Sequence, residues 1–238
     1  MRSIIPAALA ALLALFSGPA CAASLVASPV TLEIPAPGAA ATLTLRNSGA
    51  APLAAQIRVM RWRQIDGVER LEPAADVVAS PPAMTLEPGA DYAVRVIRLD
   101  RAPVAQEQAY RLLVDELPDP RAQRNGQVAL VVRYSIPVFF NAPAAAPPRL
   151  AWSVEARGGR VAATARNEGG RRVRLSAMRL RGAGGRAVSF GEGLAGYVLA
   201  GSTMRFHAPA RGGFAGGAAR IVATTDQGPL DAPATVAK

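Results

Sequence analysis

"GQVALVVRYSIPVFFNAP", residues 126–143, decides how the rest of the chain is read. From Val128 to Phe140 every even-numbered position is apolar: Val128, Leu130, Val132, Tyr134, Ile136, Val138 and Phe140. The odd-numbered positions are mixed: Ala129, Val131, Arg133, Ser135, Pro137 and Phe139. A period of two held over this length predicts a β-strand well beyond the usual span of about five or six residues. Pro137 has no N–H to give to a ladder, which places the strand at a sheet edge or a bulge. A long apolar edge is a template for pairing with another chain, so a protein that keeps one has a use for it.

The chain opens with Arg2, runs through "IIPAALAALLALFSG" and closes that run with "PACAAS". A positive start, a short apolar core and an A-x-A site at Ala20-Cys21-Ala22 predict a secretory signal peptide over residues 1–23, cut after Ala22 or Ala23. The run is shorter than the about 20 apolar residues of a spanning helix. Gly18-Pro19-Ala20 fits poorly the small-residue motif that precedes an acylated cysteine. Cys21 is the only cysteine. A chain that loses it has no disulfide, no thiolate nucleophile and no cysteine-based metal site. Export without disulfides fits a bacterial periplasm or cell surface.

The formal net charge of +10 is unevenly spread. Residues 24–143 hold 12 Arg against 12 Asp and Glu, whereas residues 144–238 hold 13 Arg and one Lys against 5 acids, a net +9. Such a patch on an intracellular chain would suggest nucleic acid. The export signal removes that partner and leaves an acidic protein surface or a membrane face.

Short alternating runs broken by turn residues fill residues 24–141. "SLVASPVTLEI" reads as a first strand with Pro29 near its middle, and "ATLTLRNSG" as a second. In "PLAAQIRVMRWRQIDG" Ile57, Val59 and Arg61 face one way and Arg58, Met60 and Trp62 the other, with a hairpin turn at Asp66-Gly67. "DYAVRVIRLDR" alternates Val94, Val96 and Arg98 against Arg95 and Ile97. "QAYRLLVDELPDP", a short turn and the opening stretch follow. About seven strands over this length predict an immunoglobulin-like β-sandwich. "APAAAPP", residues 142–148, is a stiff Pro/Ala linker. Residues 149–238 repeat the pattern in shorter strands split by Gly-Gly turns. The fold expected is all-β: two immunoglobulin-like sandwiches with a cleft between them.

No catalytic constellation is legible. His207, the one histidine, follows a strand, and nothing near it resembles a nucleophile elbow. "GEGLAG", residues 191–196, has the spacing of a dinucleotide loop, but strand-like sequence follows it where a helix is required, so it reads as a turn. Asp115 and Glu116 are strand neighbours and point to opposite faces, so they do not form a carboxylate pair. The residues call for no cofactor, metal, nucleic acid or small-molecule substrate, and for no enzyme.

An exported pair of sandwiches with a long alternating last strand in the first resembles the periplasmic pilus-assembly chaperones of the chaperone–usher pathway, the PapD-like family. "LTLRNSGAAPLAAQIRVMRW", "SPPAMTLEPG", "YRLLVDELPDP" and "VRYSIPVFF" carry the resemblance in the first half, and "ARNEGGRRVRLSAMRL" and "RIVATTDQGPL" in the second. The likeness implies that the chain lends an edge strand to a pilin subunit whose own sandwich lacks one, then delivers it to an outer-membrane usher. Val128, Leu130, Val132 and Tyr134 are the residues expected to enter the pilin groove. The family's better-known members hold the pilin's terminal carboxylate with two basic residues in the cleft, and those places hold Pro29 and Pro137 here. That departure resembles the divergent branch serving archaic, spore-coat-U-type pilins. It moves the anchor to other arginines: Arg111 and Arg133 on adjoining strands, with Arg98 third, because a guanidinium fork suits a carboxylate. A free edge of this kind also implies a self-capped homo-oligomer. The alternative is that the chain is itself a structural or adhesive surface subunit. The missing cysteine pair and an N-terminus that begins directly with a strand weigh against it.

Overall fold

The computed structural model describes residues 24–100, 102–118, 131–182, 185, 187–210 and 217–236. Every regular element among them is a strand. The first half comprises β1 (Leu25–Ser28), β2 (Leu32–Pro35), β3 (Ala40–Asn47), β4 (Leu53–Ile65), β5 (Val68–Pro73), β6 (Val77–Ser80), β7 (Ala83–Leu86), β8 (Asp91–Arg98), β9 (Gln108–Leu117) and β10 (Arg133–Asn141). One sheet has the order β1-β3-β8-β6. The other runs β2-β10-β9-β4-β5, with β7 also on β4.

The alternation that predicted these strands fills the space between the sheets. Leu43 and Leu45, Ile57 and Val59, Val94 and Val96, Leu112 and Val114, and Ile136, Val138 and Phe140 all turn into one core. Each such side chain contributes about 1.5–3 kcal/mol on burial. Tyr110 meets Phe140 edge to face, with ring centroids 5.7 Å apart. Arg61 also lies on the inner face, as its parity requires. It is tolerated because it pairs with Asp76, donates to the Tyr110 hydroxyl at 2.7 Å and stacks on that ring.

Some readings of the sequence need correction. "SLVASPVTLEI" is two strands, not one: β1 joins the first sheet and β2 the second, and residues 29–31 make the crossing. The strand β5 was not anticipated, because "VERLEP" is exposed throughout and has no buried alternation to announce it. The turn before it is as expected. Asp66 and Gly67 both have positive φ, 54° and 79°, the geometry of a two-residue hairpin turn.

The second half comprises β11 (Leu150–Arg157), β12 (Arg160–Asn167), β13 (Val173–Gly182), β14 (Ala187–Ser189), β15 (Leu194–Val198), β16 (Thr203–Pro209), β17 (Ala219–Thr225) and β18 (Gly228–Val236). They form one sheet, β14-β13-β17-β18-β11-β12-β16 with β15 on β13, wrapped round a second core. The strand-like sequence after "GEGLAG", residues 197–206, is divided between β15 and β16. The residues of "GEGLAG" from Leu194 onward belong to β15 rather than to a turn.

The two halves repeat one device. Asn47 and Asn167 are fully buried at matching strand ends. Each donates to the carbonyl four residues on (Ala51, Arg171) and accepts from the glycine amide two residues on (Gly49, Gly169). Their amides also reach across to Leu86 and to Val198 and Leu199, tying each hairpin to the strand beyond it. The linker is pinned as well. Ala142 belongs to the first core, and the Gly170 amide donates to the Ala146 carbonyl at 3.0 Å. A Cβ on Gly169 would lie 2.2 Å from the Pro147 carbonyl oxygen, so only glycine allows this approach.

Candidate functional site

The outer face of the second sheet turns toward the second domain. Its side chains rise in rows set by the register of β4, β9 and β10: Trp62, Ala109 and Phe139 at the bottom, then Met60, Arg111 and Pro137, then Arg58, Leu113 and Ser135, then Gln56, Asp115 and Arg133. The second domain packs on the bottom row. Tyr197 and Leu199 pack on Trp62, Ala109 and Phe139 to make a third apolar cluster. Trp62 and Tyr197 meet nearly at right angles, with centroids 5.2 Å apart.

Polar groups frame this cluster. The Gln64 side-chain amide donates to the Tyr197 carbonyl at 2.7 Å and accepts from the Leu199 amide at 2.9 Å. Arg172 of the second domain stacks on Phe139, 3.5 Å from the ring centroid. It also pairs with Glu107 at 2.7 Å and with Glu33 of β2. The Glu107 side chain is 2% exposed. Burial holds its carboxyl above the ordinary value, against the charge and hydrogen bonds of Arg172. A second link joins the hairpin tip to β16, where the Arg205 amide donates to the Gly67 carbonyl at 3.0 Å. Between the domains lies a cavity of about 580 Å³, lined in part by Arg61, Gln64, Arg98, Gln106 and Ser202.

The three arginines named from sequence stand in different situations. Arg111 lies one row above the covered cluster. Its guanidinium sits 3.7 Å over Trp62 and 5.7 Å from the Tyr197 ring centroid, with a long contact to the Ser135 carbonyl at 3.4 Å. No carboxylate lies within ion-pair distance of it among the described residues. Desolvation lowers its pKa, partly offset by Glu69 and Tyr197. A cation in this state lacks its anion. Arg133 does not join it. It pairs with Asp115, four residues further along the ladder, which is about 13 Å away. Arg98 is buried and spent on its own loop, donating to the Ala102 carbonyl at 2.6 Å and pairing with Asp100.

The expected donor residues divide as well. Val128 and Leu130 lie outside the described residues. Val132 is half-buried beside Glu116, exchanging backbone and side-chain hydrogen bonds with it. Tyr134 leans on the home core, and its hydroxyl donates to the Leu25 carbonyl at 2.7 Å. From Val138 to Phe140 β10 is paired on both sides, with β9 and with β2. From Arg133 to Pro137 it is paired with β9 alone. Pro137 falls in that one-sided part, as a proline must.

Residues 24–146 match the family described as pili and flagellar-assembly chaperone, PapD N-terminal domain. The chain belongs to this family of pilus-assembly chaperones. No curated protein matches the chaperone in sequence. Among solved structures it is similar to a chain of the CsuC–CsuE chaperone–tip adhesion subunit pre-assembly complex, from the archaic chaperone–usher Csu pili of Acinetobacter baumannii. That match has 28% identity and a TM-score of 0.72, covering 91% of this chain and 100% of that one. Two more distant matches share the two-domain fold. One is the CupB2 chaperone of Pseudomonas aeruginosa, at 21% identity and TM-score 0.56, covering 88% of this chain and 100% of that one. The other is a chain of the SafA pilin–SafB chaperone complex of Salmonella enterica, at 18% identity and TM-score 0.60, covering 90% and 98%.

Sequence reading missed Glu107, Arg172, Gln64 and Tyr197, the groups that fix the domains together. Only packing between domains gives each its role; Arg172 even lies within a stretch that carries the family resemblance, where nothing singles it out.

Proposed function

We propose that the chaperone captures pilin subunits in the periplasm by lending them the strand expected at residues 126–140, with the lent edge ending at Pro137 because Val138 to Phe140 already pair with β2, and then delivers them to an outer-membrane usher. The observation that carries this is the one-sided pairing of β10 from Arg133 to Pro137, beside a cleft in which Arg111 has no carboxylate at ion-pair distance among the described residues. A strand with one free edge and alternating side chains completes a sheet that is short of a strand. The 28% identical Csu complex, a chaperone with a tip adhesion subunit, supports the same reading. Arg111 takes the subunit's terminal carboxylate. Arg133 and Arg98, already paired, leave that role to it. Residues 1–23 direct export, and in the free state a second copy caps the open edge. The alternative of a structural surface subunit is not favoured, since the chain belongs to the chaperone family.

Co-expression with candidate pilins followed by pull-down tests this. The wild type is expected to retain its pilin. Val132→Glu and Leu130→Glu are expected to lose it while still folding, because a charge entering a dry groove costs several kcal/mol or about a thousandfold in affinity. Capture by both glutamate variants at the wild-type level would overturn the strand assignment.

A further inference from the structure

At the top of the outer face, where β10 begins, one carboxylate holds two strands. Asp115 of β9 is 7% exposed. It accepts from the Arg58 guanidinium of β4 at 2.7 Å and from Arg133 of β10. Its neighbour Glu116 binds the residue before Arg133 twice. The Val132 amide donates to the Glu116 carboxylate at 3.2 Å, and the Glu116 amide donates to the Val132 carbonyl at 2.9 Å. Arg58 and Arg133 are half-exposed, with side-chain exposures of 43% and 64%, yet both converge on the one buried group. Two cations thus converge on Asp115, with Glu116 as the second acid at the root of the strand.

The position gives the clasp its meaning. This part of β10 has a ladder on one side only, and Pro137 within it gives no N–H. Such an edge is poorly defined in register, and a slip of one residue would turn Tyr134 and Ile136 outward. We infer that Asp115, with Arg58 and Arg133, is a positioning residue that fixes the root of the lent strand in register while its other edge is offered to the pilin. The inference rests on the proposed donor role of β10. It also accounts for Arg133, which the resemblance offered as an anchor and the geometry assigns to this clasp. Burial raises the Asp115 pKa, but the hydrogen bonds and charges of Arg58 and Arg133 hold it below the ordinary 3.8. The clasp is therefore intact above pH 3.8 and is lost only as pH falls through that lowered value.

The test compares wild type, Asp115→Asn, Asp115→Glu and Arg133→Gln. It measures amide exchange at residues 132–135 in the free chain, and capture of a co-expressed pilin. In Asp115→Asn and Arg133→Gln, exchange there is expected to rise about fivefold, the scale of a network of part-exposed ion pairs on one carboxylate, with capture reduced by a similar factor. Asp115→Glu, which keeps the charge, should restore most of the capture. A residue of merely structural importance would give no such charge-dependent rescue. Unchanged exchange in Asp115→Asn overturns the clasp. So does faster exchange with capture at the wild-type level, or failure of the glutamate to rescue. If the wild type itself captures no pilin, the donor reading falls, whereas exchange in the free chain still tests the clasp by itself, which separates the two failures.

Discussion

Replacing Arg111 by alanine is expected to weaken the chaperone–pilin complex by about 2–5 kcal/mol, the cost of removing one partner from a desolvated, hydrogen-bonded charge pair. The expectation follows from the state of that side chain. It is stacked on Trp62, close to Tyr197 and with no carboxylate at ion-pair distance among the described residues, so it is already partly desolvated before any subunit arrives. A terminal carboxylate entering the cleft meets a fork whose orientation is set in advance. Arg133→Ala acts through the strand root and should cost less. Exposed arginines of the basic domain, such as Arg171 and Arg174, should cost little when replaced. Measuring complex yield at low and high salt separates the two causes. General attraction to a domain of net charge +9 fades with salt, whereas the Arg111 effect should persist. Equal, salt-dependent losses across Arg111, Arg171 and Arg174 variants would remove Arg111 from the site.

The second large effect concerns the junction of the domains. Arg172→Ala is expected to destabilise the interface by about 3–5 kcal/mol, because it leaves the Glu107 carboxylate buried without its cation. It also strips the Phe139 ring of its stacked guanidinium. The two cores are separate, so the loss should fall on their coupling. In urea the wild type is expected to unfold in one transition and Arg172→Ala in two. Arg149→Ala, whose side chain is 77% exposed in its pair with Glu168, serves as the control and should behave as wild type. A single unshifted transition in Arg172→Ala would mean that the ionic frame contributes nothing to the cleft.

The sheets were legible because period-two burial is written directly into sequences such as "DYAVRVIRL" and "VRYSIPVFF". Val94, Val96, Ile136, Val138 and Phe140 face inward as their parity required. Pro137 marked the edge for a reason that is local and covalent. What failed to show was whatever depends on the other domain or on a third strand. Trp62 and Phe139 are apolar on the outer face, which period alone reads as solvent-facing until Tyr197 and Leu199 are placed over them. Arg172 sits in a run of arginines that reads as surface charge, and nothing in "NEGGRRVRL" distinguishes the one that turns inward. The anchor was half legible. Three arginines were named, and only their partners tell them apart: Asp115 for Arg133, the Ala102 carbonyl for Arg98, and two aromatic rings for Arg111.

In the proposed donor role, the free edge of β10 becomes a paired edge when a subunit is held. Amide exchange of the chaperone, alone and in complex with a co-purified pilin, reads this residue by residue. Strong new protection is expected, confined to residues 132–136 and the segment leading into them, with the β9 amides little changed because their ladder already exists. A pilin bound tightly while exchange along β10 stays as in the free chain would contradict it.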